Sequence, residues 1–267
     1  MKLLRYGPRG QERPGVLGRD GVIHDLSREL PDLTPEQLIP DSLRSLSKLD
    51  PGTLPAVGGE PRLGVPVAGI RKFIAVGLNY ADHARETGKE LPKEPLFWLK
   101  ATTSLIPDGG KIEIPFRKHR TDYEAELAIV IGRRIRNVTP TSASRYIFGY
   151  TTAEDISDRT IQNSESQWAR CKSFDTFTPL GPYVETKIDP NELTIQLFQN
   201  GQLRQNSNTK QLIFKPAELV SFISTNLTLL PGDVILTGTP SGIGPIQSGD
   251  RLEVRIQGLA PLVNQVK

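Results

Sequence analysis

Two glutamates at the start of an apolar run are the residues of this chain best placed to bind a metal ion. Glu124 and Glu126 lead into Leu127–Ile131, whose unbroken apolar character predicts a strand covered on both faces. Side chains along a strand alternate between its faces, so the two carboxylates share one face. Their burial is unfavourable unless a cation compensates the charge. A bound divalent ion would do so; the alternative is a strand end whose glutamates stay in solvent.

A second predicted strand supplies a third carboxylate. Residues 146–158 predict a strand that runs into Glu154 and Asp155, and a neighbouring position in the sheet would bring Asp155 beside the two glutamates. A ligand set made only of oxygens suits Mg²⁺ or Mn²⁺, with Ca²⁺ a less favoured choice. No Cys/His grouping has zinc spacing. His119 lies nearby but is flanked by basic residues, which predicts an exposed basic turn.

The composition indicates a strand-rich globular protein that handles small molecules. The chain has 267 residues, 24 of them Gly and 22 Pro, and shows few long helical periodicities, which favours an α+β fold with many turns. The net charge of +3 is small, and the basic clusters are not interleaved with aromatic side chains. We therefore expect no nucleic-acid partner, whereas a small anionic substrate is favoured.

The single cysteine and the N-terminal residues indicate the cellular compartment of the protein. Cys171 is the only cysteine, so an intramolecular disulfide is impossible and a reducing compartment is expected. A packing role is expected for Cys171, and likewise for His24. The N-terminus has no apolar leader, and no apolar run approaches the length of a membrane span. These features predict a cytoplasmic protein with no membrane partner.

The chain divides into two predicted units. Residues 1–70 predict a small N-terminal domain and linker, with short strands, a helix over Thr34–Leu49 and a Pro/Gly-rich connection. Residues 71–267 predict the main domain. Its first helix is expected between Asn79 as N-cap and Gly88 as stop, and a later helix is expected over Pro216–Asn226. Its strands are predicted at Lys72–Gly77, Leu96–Lys100, Leu127–Gly132, Ile147–Thr152, Thr194–Gln199, Asp233–Thr237 and Asp250–Ile256.

Two short loops carry further signals. Asn200-Gly201 between two strand patterns predicts a type I′ hairpin. The glycine-rich segment 237–244 lacks the Lys-Ser/Thr ending of a phosphate loop, so a nucleotide-binding function is not indicated. It follows a strand and offers hydroxyl and backbone N–H groups near Gly238 and Thr239, which suits a carboxylate. No Gly-x-Ser-x-Gly motif is present, so a serine hydrolase lacks its nucleophile.

Taken together, these segments resemble the fumarylacetoacetate hydrolase family, in particular its small bacterial members. The matching motifs occur in order at Gly77–His83, Asp122–Leu127, Glu154–Arg159, Cys171–Pro182, Leu230–Pro240 and Gly249–Asp250. The resemblance implies a mixed β-sandwich roll with a small N-terminal domain, a homodimer, and Mg²⁺ or Mn²⁺ held by Glu124, Glu126 and Asp155.

The resemblance also implies roles for residues that the strand pattern does not select. His83 and Glu86 match a pair that activates water from a lid helix, and Lys172 matches the family's lysine. Gln162 and Thr239 match its substrate-binding residues. We expect residues 79–88 to be a lid that orders when substrate binds, followed by a mobile loop over 89–95.

The predicted activity is metal-dependent hydrolysis of a C–C bond in a small β-diketo acid, through an enolate bound to the metal. An acylpyruvate or a 2,4-diketo-3-deoxy sugar acid would be the substrate. His83 would take a proton from water, Lys172 would stabilise oxyanion charge, and Gly238 with Thr239 would hold a carboxylate. The alternatives are a decarboxylase or isomerase of 2-keto or dienoic diacids in aromatic catabolism, a ureidoglycolate-lyase-like activity, and a catalytically silent metal-binding protein.

Overall fold

A computed structural model describes residues 1–88 and 90–267. Lys89, the first residue of the predicted mobile loop, therefore lies outside the described residues. The helices are α1 (Pro40–Leu46), α2 (Ala81–Thr87), α3 (Pro140–Ala143), α4 (Arg159–Ser164) and α5 (Pro216–Asn226). Single 3₁₀ turns occur at Pro51–Thr53, Thr102–Ser104, Ser144–Tyr146 and Thr209–Gln211.

Strands make up most of the regular structure. They are β1 (Lys2–Tyr6), β2 (Arg13–Leu17), β3 (Ile23–Asp25), β4 (Phe73–Gly77), β5 (Leu96–Lys100), β6 (Leu105–Ile106), β7 (Lys111–Ile112), β8 (Thr121–Tyr123), β9 (Ala125–Ile131), β10 (Ile147–Glu154), β11 (Ser157–Asp158), β12 (Thr178–Glu185), β13 (Thr194–Gln199), β14 (Gln202–Asn208), β15 (Val234–Leu236), β16 (Gly244–Pro245), β17 (Arg251–Ile256) and β18 (Leu262–Val266).

These strands form mixed sheets, and the largest is the scaffold of the molecule. Its order is β3-β2-β1-β12-β10-β9-β15-β4-β5, with β6 added alongside β12. A second sheet has the order β14-β13-β17-β18-β7, and a small one has the order β11-β8-β16. Most neighbours are antiparallel, but β4 and β15 run parallel. The strand-rich α+β fold predicted from the sequence is confirmed.

Strand β9 is buried on both faces, as its apolar run predicts. Leu127, Ile129 and Ile131 belong to a core shared with the second sheet and α5. Ala128 and Val130 belong to a core on the opposite face. Because both faces are covered, polar side chains at the strand's start are drawn into a dry environment unless a cavity opens there.

The N-terminal residues build the second of these cores. Leu3, Val16 and Leu26 pack in the same cluster as Ala128 and Val130. Strand β1 pairs antiparallel with β12, so the first strands of the chain extend the large sheet. The division near residue 70 stays a prediction.

The predicted helix over Thr34–Leu49 is wrong in its start. The segment at Thr34 makes one turn, in which its carbonyl accepts hydrogen bonds from the N–H groups of Gln37 and Leu38. Helix α1 begins only at Pro40. Ile39 is extended (φ −116°, ψ 157°), because the ring of a following proline disfavours helical backbone.

Other local predictions are confirmed or adjusted. Helix α5 spans the predicted residues, and Asn200 and Gly201 both have positive φ, as a type I′ turn requires. Gly88 ends α2 in the left-handed conformation, but the N-cap is Tyr80 and not Asn79. The Asn79 side chain instead bonds Phe214 and the Thr237 carbonyl, which ties the start of α2 to two other loops. Within the described residues, no helix is long and apolar enough to cross a membrane.

Candidate metal centre and active site

Strand register brings the three predicted metal ligands together. Ala153 on β10 lies opposite Glu126 on β9, and residues in register point to the same face. Asp155 follows two positions after Ala153 and so returns to that face. Its N–H donates to the Glu124 carbonyl at 2.9 Å, which fixes the end of the ladder beside the glutamates. Ligand oxygens of Glu124, Glu126 and Asp155 lie within 4.8 Å of one another.

The two glutamates of this triad differ in charge state. Burial tends to raise the pKa of Glu124, but Lys172 and Arg159 outweigh it and lower that pKa to about 2. Burial, Asp155 and Glu124 raise the pKa of Glu126 well above its usual range. Among the described residues Glu126 has no salt bridge, and its Oε2 accepts the Gly238 N–H at 2.6 Å. Without a further cation the protonated, neutral form of Glu126 is therefore favoured, whereas Glu124 is a carboxylate.

Three basic side chains surround the triad, and two of them, Lys172 and Lys100, are buried. Lys172 donates to Glu124 at 2.7 Å, Asp155 at 2.8 Å and Ser157 at 2.6 Å. Lys100 donates to the other oxygen of Asp155 and, at 3.2 Å, to the Phe177 carbonyl. Burial alone would lower the pKa of Lys172, but Asp155 and Glu124 outweigh it and raise the value, so Lys172 is a cation at neutral pH.

Arg159 is the third of these basic side chains, and it connects the triad to α4. It bonds Glu124, reaches Asp122 Oδ2 at 3.0 Å, and donates to Gln162 Oε1 at 2.6 Å. Asp158 caps the same helix by accepting the Ile161 N–H at 3.0 Å. The helix that carries Gln162 is thus held in place from both its cap and its first side chain.

The residues present fit a hard divalent cation. The donor set is carboxylate oxygen only, its members converge, and a dication would take the place of the proton that burial and the neighbouring carboxylates favour on Glu126. The three lysine and arginine side chains already share Glu124 and Asp155, so a bound ion would join an existing charge network rather than create one.

The His83–Glu86 pair lies beside this network on α2. His83 Nδ1 is 3.1 Å from Glu86 Oε2, a spacing that the helical turn allows for residues three apart. His83 is buried, whereas about a third of the Glu86 side chain (38%) is exposed. The other oxygen of Glu86 accepts the Gly242 N–H at 3.0 Å. Glu86 therefore fixes the imidazole and also ties α2 to the glycine-rich loop; motion of this segment as a lid stays a prediction.

A cavity of about 280 Å³ joins most of the predicted site residues. Its lining comprises Val76, Gly77, Leu78, His83, Trp98, Glu124, Glu126, Arg159, Gln162, Asn163, Trp168, Lys172, Thr239 and Ile243. Asp155 and Glu86 do not belong to this lining, but Asp155 contacts Lys172 and Glu86 contacts His83. The structure thus brings His83, Lys172, Gln162 and Thr239 to one space with the triad.

The glycine-rich loop contributes in a way the sequence did not indicate. The Gly238 N–H donates to Glu126, so in this structure it orients a metal-ligand candidate. Gly238 has φ +98°, and a Cβ there would lie 3.0 Å from Asn79 Cβ, so both conformation and space favour glycine. Thr239 lines the cavity, and its Oγ1 accepts a hydrogen bond from Gln205 at 2.8 Å.

Several residues of this site were missed by sequence reasoning. Lys100 and Gln205 lie 55 and 80 positions away from the residues they bond, Asp155 and Ala125, and nothing local marks them. Trp98 lies in a predicted strand, and Trp168 lies in a polar segment without a periodic pattern. Arg159 had a usable signal, because it lies three positions before Gln162 and so shares its helix face.

Three other residues, Cys171, His24 and His119, were expected to have no role in the chemistry. Cys171 is buried, burial raises its pKa to about 11, and its thiol contacts the Trp168 carbonyl at 3.1 Å. His24 is buried and packs as expected. The basic turn expected at His119 is present and its neighbours Lys118 and Arg120 are exposed, but the imidazole is partly covered, because its Nδ1 lies 2.7 Å from the buried Asp158.

Comparison with known proteins agrees with this geometry. The family model described as fumarylacetoacetate (FAA) hydrolase C-terminal matches residues 72–267, a region that begins one residue before β4. A Burkholderia cenocepacia protein named only as a hydrolase is 43% identical over 279 residues, covering 100% of this chain and 99% of its own.

Two solved structures show the range of chemistry among similar proteins. A 5-carboxymethyl-2-hydroxymuconate delta-isomerase from Mycobacterium smegmatis is 36% identical with a TM-score of 0.81, covering 100% of this chain and 98% of its own. A maleylpyruvate hydrolase from Sphingobium sp. SYK-6, in complex with manganese(II) and pyruvate, is 28% identical with a TM-score of 0.85 and the same coverage.

Proposed function

Because the chain belongs to the fumarylacetoacetate hydrolase family, whose members include hydrolases and isomerases, we propose that it is a metal-dependent hydrolase. The reaction would cleave a C–C bond in a small β-diketo acid such as an acylpyruvate or a 2,4-diketo-3-deoxy acid. The observation that carries this proposal is one cavity lined by His83, Lys172, Glu124 and Glu126, with Asp155 in contact with Lys172.

Glu124, Glu126 and Asp155 would hold Mg²⁺ or Mn²⁺. When bound, the ion would supply a Lewis acid for the 2-keto acid end of the substrate. Manganese in the Sphingobium hydrolase supports the choice of ion, and the oxygen-only ligand set of this chain supports it independently.

His83 would act as general base. Water gives up a proton to the imidazole, its oxygen bonds to the distal acyl carbon, and the bond from that carbon to the adjacent CH₂ breaks. The electron pair of the broken bond goes to the departing 2-keto acid fragment, which takes up a proton. Glu86 Oε2 lies 3.1 Å from Nδ1 of His83 and would orient the imidazole for this proton transfer.

Lys172 would stabilise negative charge as it develops. A charged, buried ammonium at the cavity wall acts through electrostatics, because its raised pKa makes it a poor base. Gln162 and Thr239 would orient the substrate, and Gly238 would act through Glu126. The substrate would be a small anionic keto acid. The protein would be a cytoplasmic homodimer with no nucleic-acid or membrane partner.

An isomerase of dienoic diacids is the second candidate. The 36% identity to the Mycobacterium smegmatis isomerase over the whole chain favours it. Both reactions need the same acidic triad, but isomerisation needs proton transfer between carbons and no attacking water.

A substrate panel tests the proposal. We expect acetylpyruvate to be cleaved to acetate and pyruvate with Mg²⁺ or Mn²⁺, and excess chelator to abolish the reaction. Glu126→Ala should remove activity and weaken Mn²⁺ binding measured by calorimetry, while Glu60→Ala, an exposed glutamate, should change neither. Metal-dependent conversion of a dienoic diacid alone would favour the isomerase, and cleavage undiminished by chelator would contradict the metal site.

A further inference from the structure

Two tryptophans form one wall of the cavity. The rings of Trp98 and Trp168 pack edge to face, with centroids 5.3 Å apart and planes at 76°. Both rings line the space that contains His83 and the glutamates. Edge-to-face packing is attractive for aromatic rings, so the two hold each other in position. The wall is therefore a preformed surface.

Gly77 at the end of β4 makes room for this wall. A Cβ at position 77 would lie 2.8 Å from the Trp168 ring and 2.9 Å from the Trp98 ring. Contacts that short are not tolerated, so a larger residue would push the rings out of place. Gly77 is not among the residues with positive φ, which means that glycine is required here for space and not for backbone conformation.

The cavity has further apolar lining besides this wall. Val76, Leu78 and Ile243 line it together with the two tryptophans and the charged residues. Lys172 Nζ lies 5.4 Å from the centre of the Trp98 ring, so the wall starts directly beside the charged centre. An acyl group projecting from a keto acid bound at the triad would meet the tryptophans next.

Two polar groups of the lining already have hydrogen-bond partners within the protein. Gln162 accepts from Arg159 at 2.6 Å, and the Thr239 hydroxyl accepts from Gln205 at 2.8 Å. A polyhydroxylated chain would lose its water against the aromatic wall with few partners in return, which costs binding energy. A planar apolar group would bury its surface there and gain ring contacts.

We propose that Trp98 and Trp168 select substrates whose distal acyl group is apolar and planar, such as an aryl or alkenyl group. This inference rests on the proposed function and narrows it. Among β-diketo acids it favours aroyl- and alkenoylpyruvates over 2,4-diketo-3-deoxy sugar acids.

Ligand binding to the Mg²⁺-loaded protein tests this without turnover. Pyruvate and phenylpyruvate differ by a phenyl group, and 2-ketogluconate presents a polyhydroxylated chain on the same 2-keto acid. We expect calorimetry to show phenylpyruvate binding at least about 10-fold more tightly than either of the others, the scale of discrimination that hydrophobic pockets reach. The chain has only two tryptophans, both in this wall, so phenylpyruvate should also perturb their emission more than pyruvate does.

Three variants assign the preference to the wall. Trp168→Leu should remove most of the preference for phenylpyruvate over pyruvate. Trp98→Phe should retain much of it, because an aromatic face remains and the buried indole N–H has no hydrogen-bond partner among the described side chains. Val22→Ala, an exposed apolar truncation outside the cavity, should behave as wild type.

Each result supports or overturns the inference. Equal wild-type affinity for pyruvate and phenylpyruvate overturns it, as does an unchanged preference in folded Trp168→Leu. If that variant does not fold, Gly77→Ala takes its place, since it displaces the rings without removing an aromatic atom. A clear aryl preference in a protein that cleaves no β-diketo acid would overturn the proposed function but support the selectivity of the wall. Cleavage of β-diketo acids with no aryl preference would support the proposed function but overturn the selectivity of the wall.

Discussion

Lys172 holds its ammonium nitrogen 2.7 Å from Oε2 of Glu124, and both side chains are buried. The same nitrogen is 2.8 Å from Asp155. A divalent ion at the triad would therefore share two carboxylates with a permanent cation. This arrangement balances the buried negative charge of the site and places a positive charge at the cavity wall.

Lys172→Met should show separately how the lysine affects catalysis and how it affects metal binding. Loss of the cation should lower kcat by roughly 10²–10³-fold, as for removal of a donor to a developing oxyanion. Affinity for Mn²⁺ should not fall, because Glu124 and Asp155 lose a competing cation. Steady-state kinetics and calorimetry measure the two effects. Lys48→Met, at an exposed position of the N-terminal region, is the matched control, and an unchanged kcat in Lys172→Met would contradict the assigned role.

His83→Ala should slow the chemical step by roughly 10²–10⁴-fold, the usual contribution of a general base. Glu86→Gln should have a smaller effect, because the imidazole remains but loses a charged partner at 3.1 Å. Single-turnover kinetics at saturating Mg²⁺ isolate this step. Arg85→Ala, an exposed residue on the same helix, controls for changes in helix packing. Wild-type rates in His83→Ala would mean that the base lies elsewhere.

Glu154→Gln should change how stability depends on pH. Glu154 is buried, its carboxyl has no hydrogen-bond partner among the described residues, and burial raises its pKa from 4.5 to about 8. Between these values the folded protein keeps a proton that the unfolded chain has released, so stability falls as pH rises across this interval. The variant should remove this loss and be more stable than wild type near pH 8, by on the order of 1–3 kcal/mol.

Urea unfolding in chelator at about pH 5 and about pH 8 measures the effect of Glu154→Gln. Glu60→Gln, at an exposed position, is the control. Register places Glu154 opposite Ala125 and therefore on the face away from Glu126, so the effect concerns stability and not the triad. Equal pH dependence in wild type and Glu154→Gln would show that this carboxyl finds a partner in the native protein.

Cys171 should be dispensable and unreactive. Burial raises the pKa of its thiol to about 11, so the thiol is protonated at neutral pH and shielded from solvent. We expect negligible labelling by a thiol reagent in the native protein and full labelling after unfolding. Cys171→Ala should keep activity within a few-fold, because among the described residues the thiol donates one weak hydrogen bond, to the Trp168 carbonyl. Rapid native labelling or complete loss of turnover would contradict this prediction.

The sequence by itself determined the parts of the site that depend on local periodicity. Glu124 and Glu126 share a face because strand side chains alternate, and the apolar run after them had to be buried on both faces. The end of α2 at Gly88 and the hairpin at Asn200-Gly201 follow from residues that accept positive φ. Ordered motifs indicated the family, and the match over residues 72–267 confirms it.

Only the tertiary structure decided which distant residues meet the triad. Lys100 reaches Asp155 from another strand, and Gly238 donates to Glu126 across 112 positions. The structure also showed that α1 begins at Pro40 and not at Thr34. The two tryptophans contact each other across 70 residues of sequence because Gly77 leaves room for both rings. Pairings of this kind depend on strand order and on packing between segments far apart in the chain, and a local residue pattern carries no information about either.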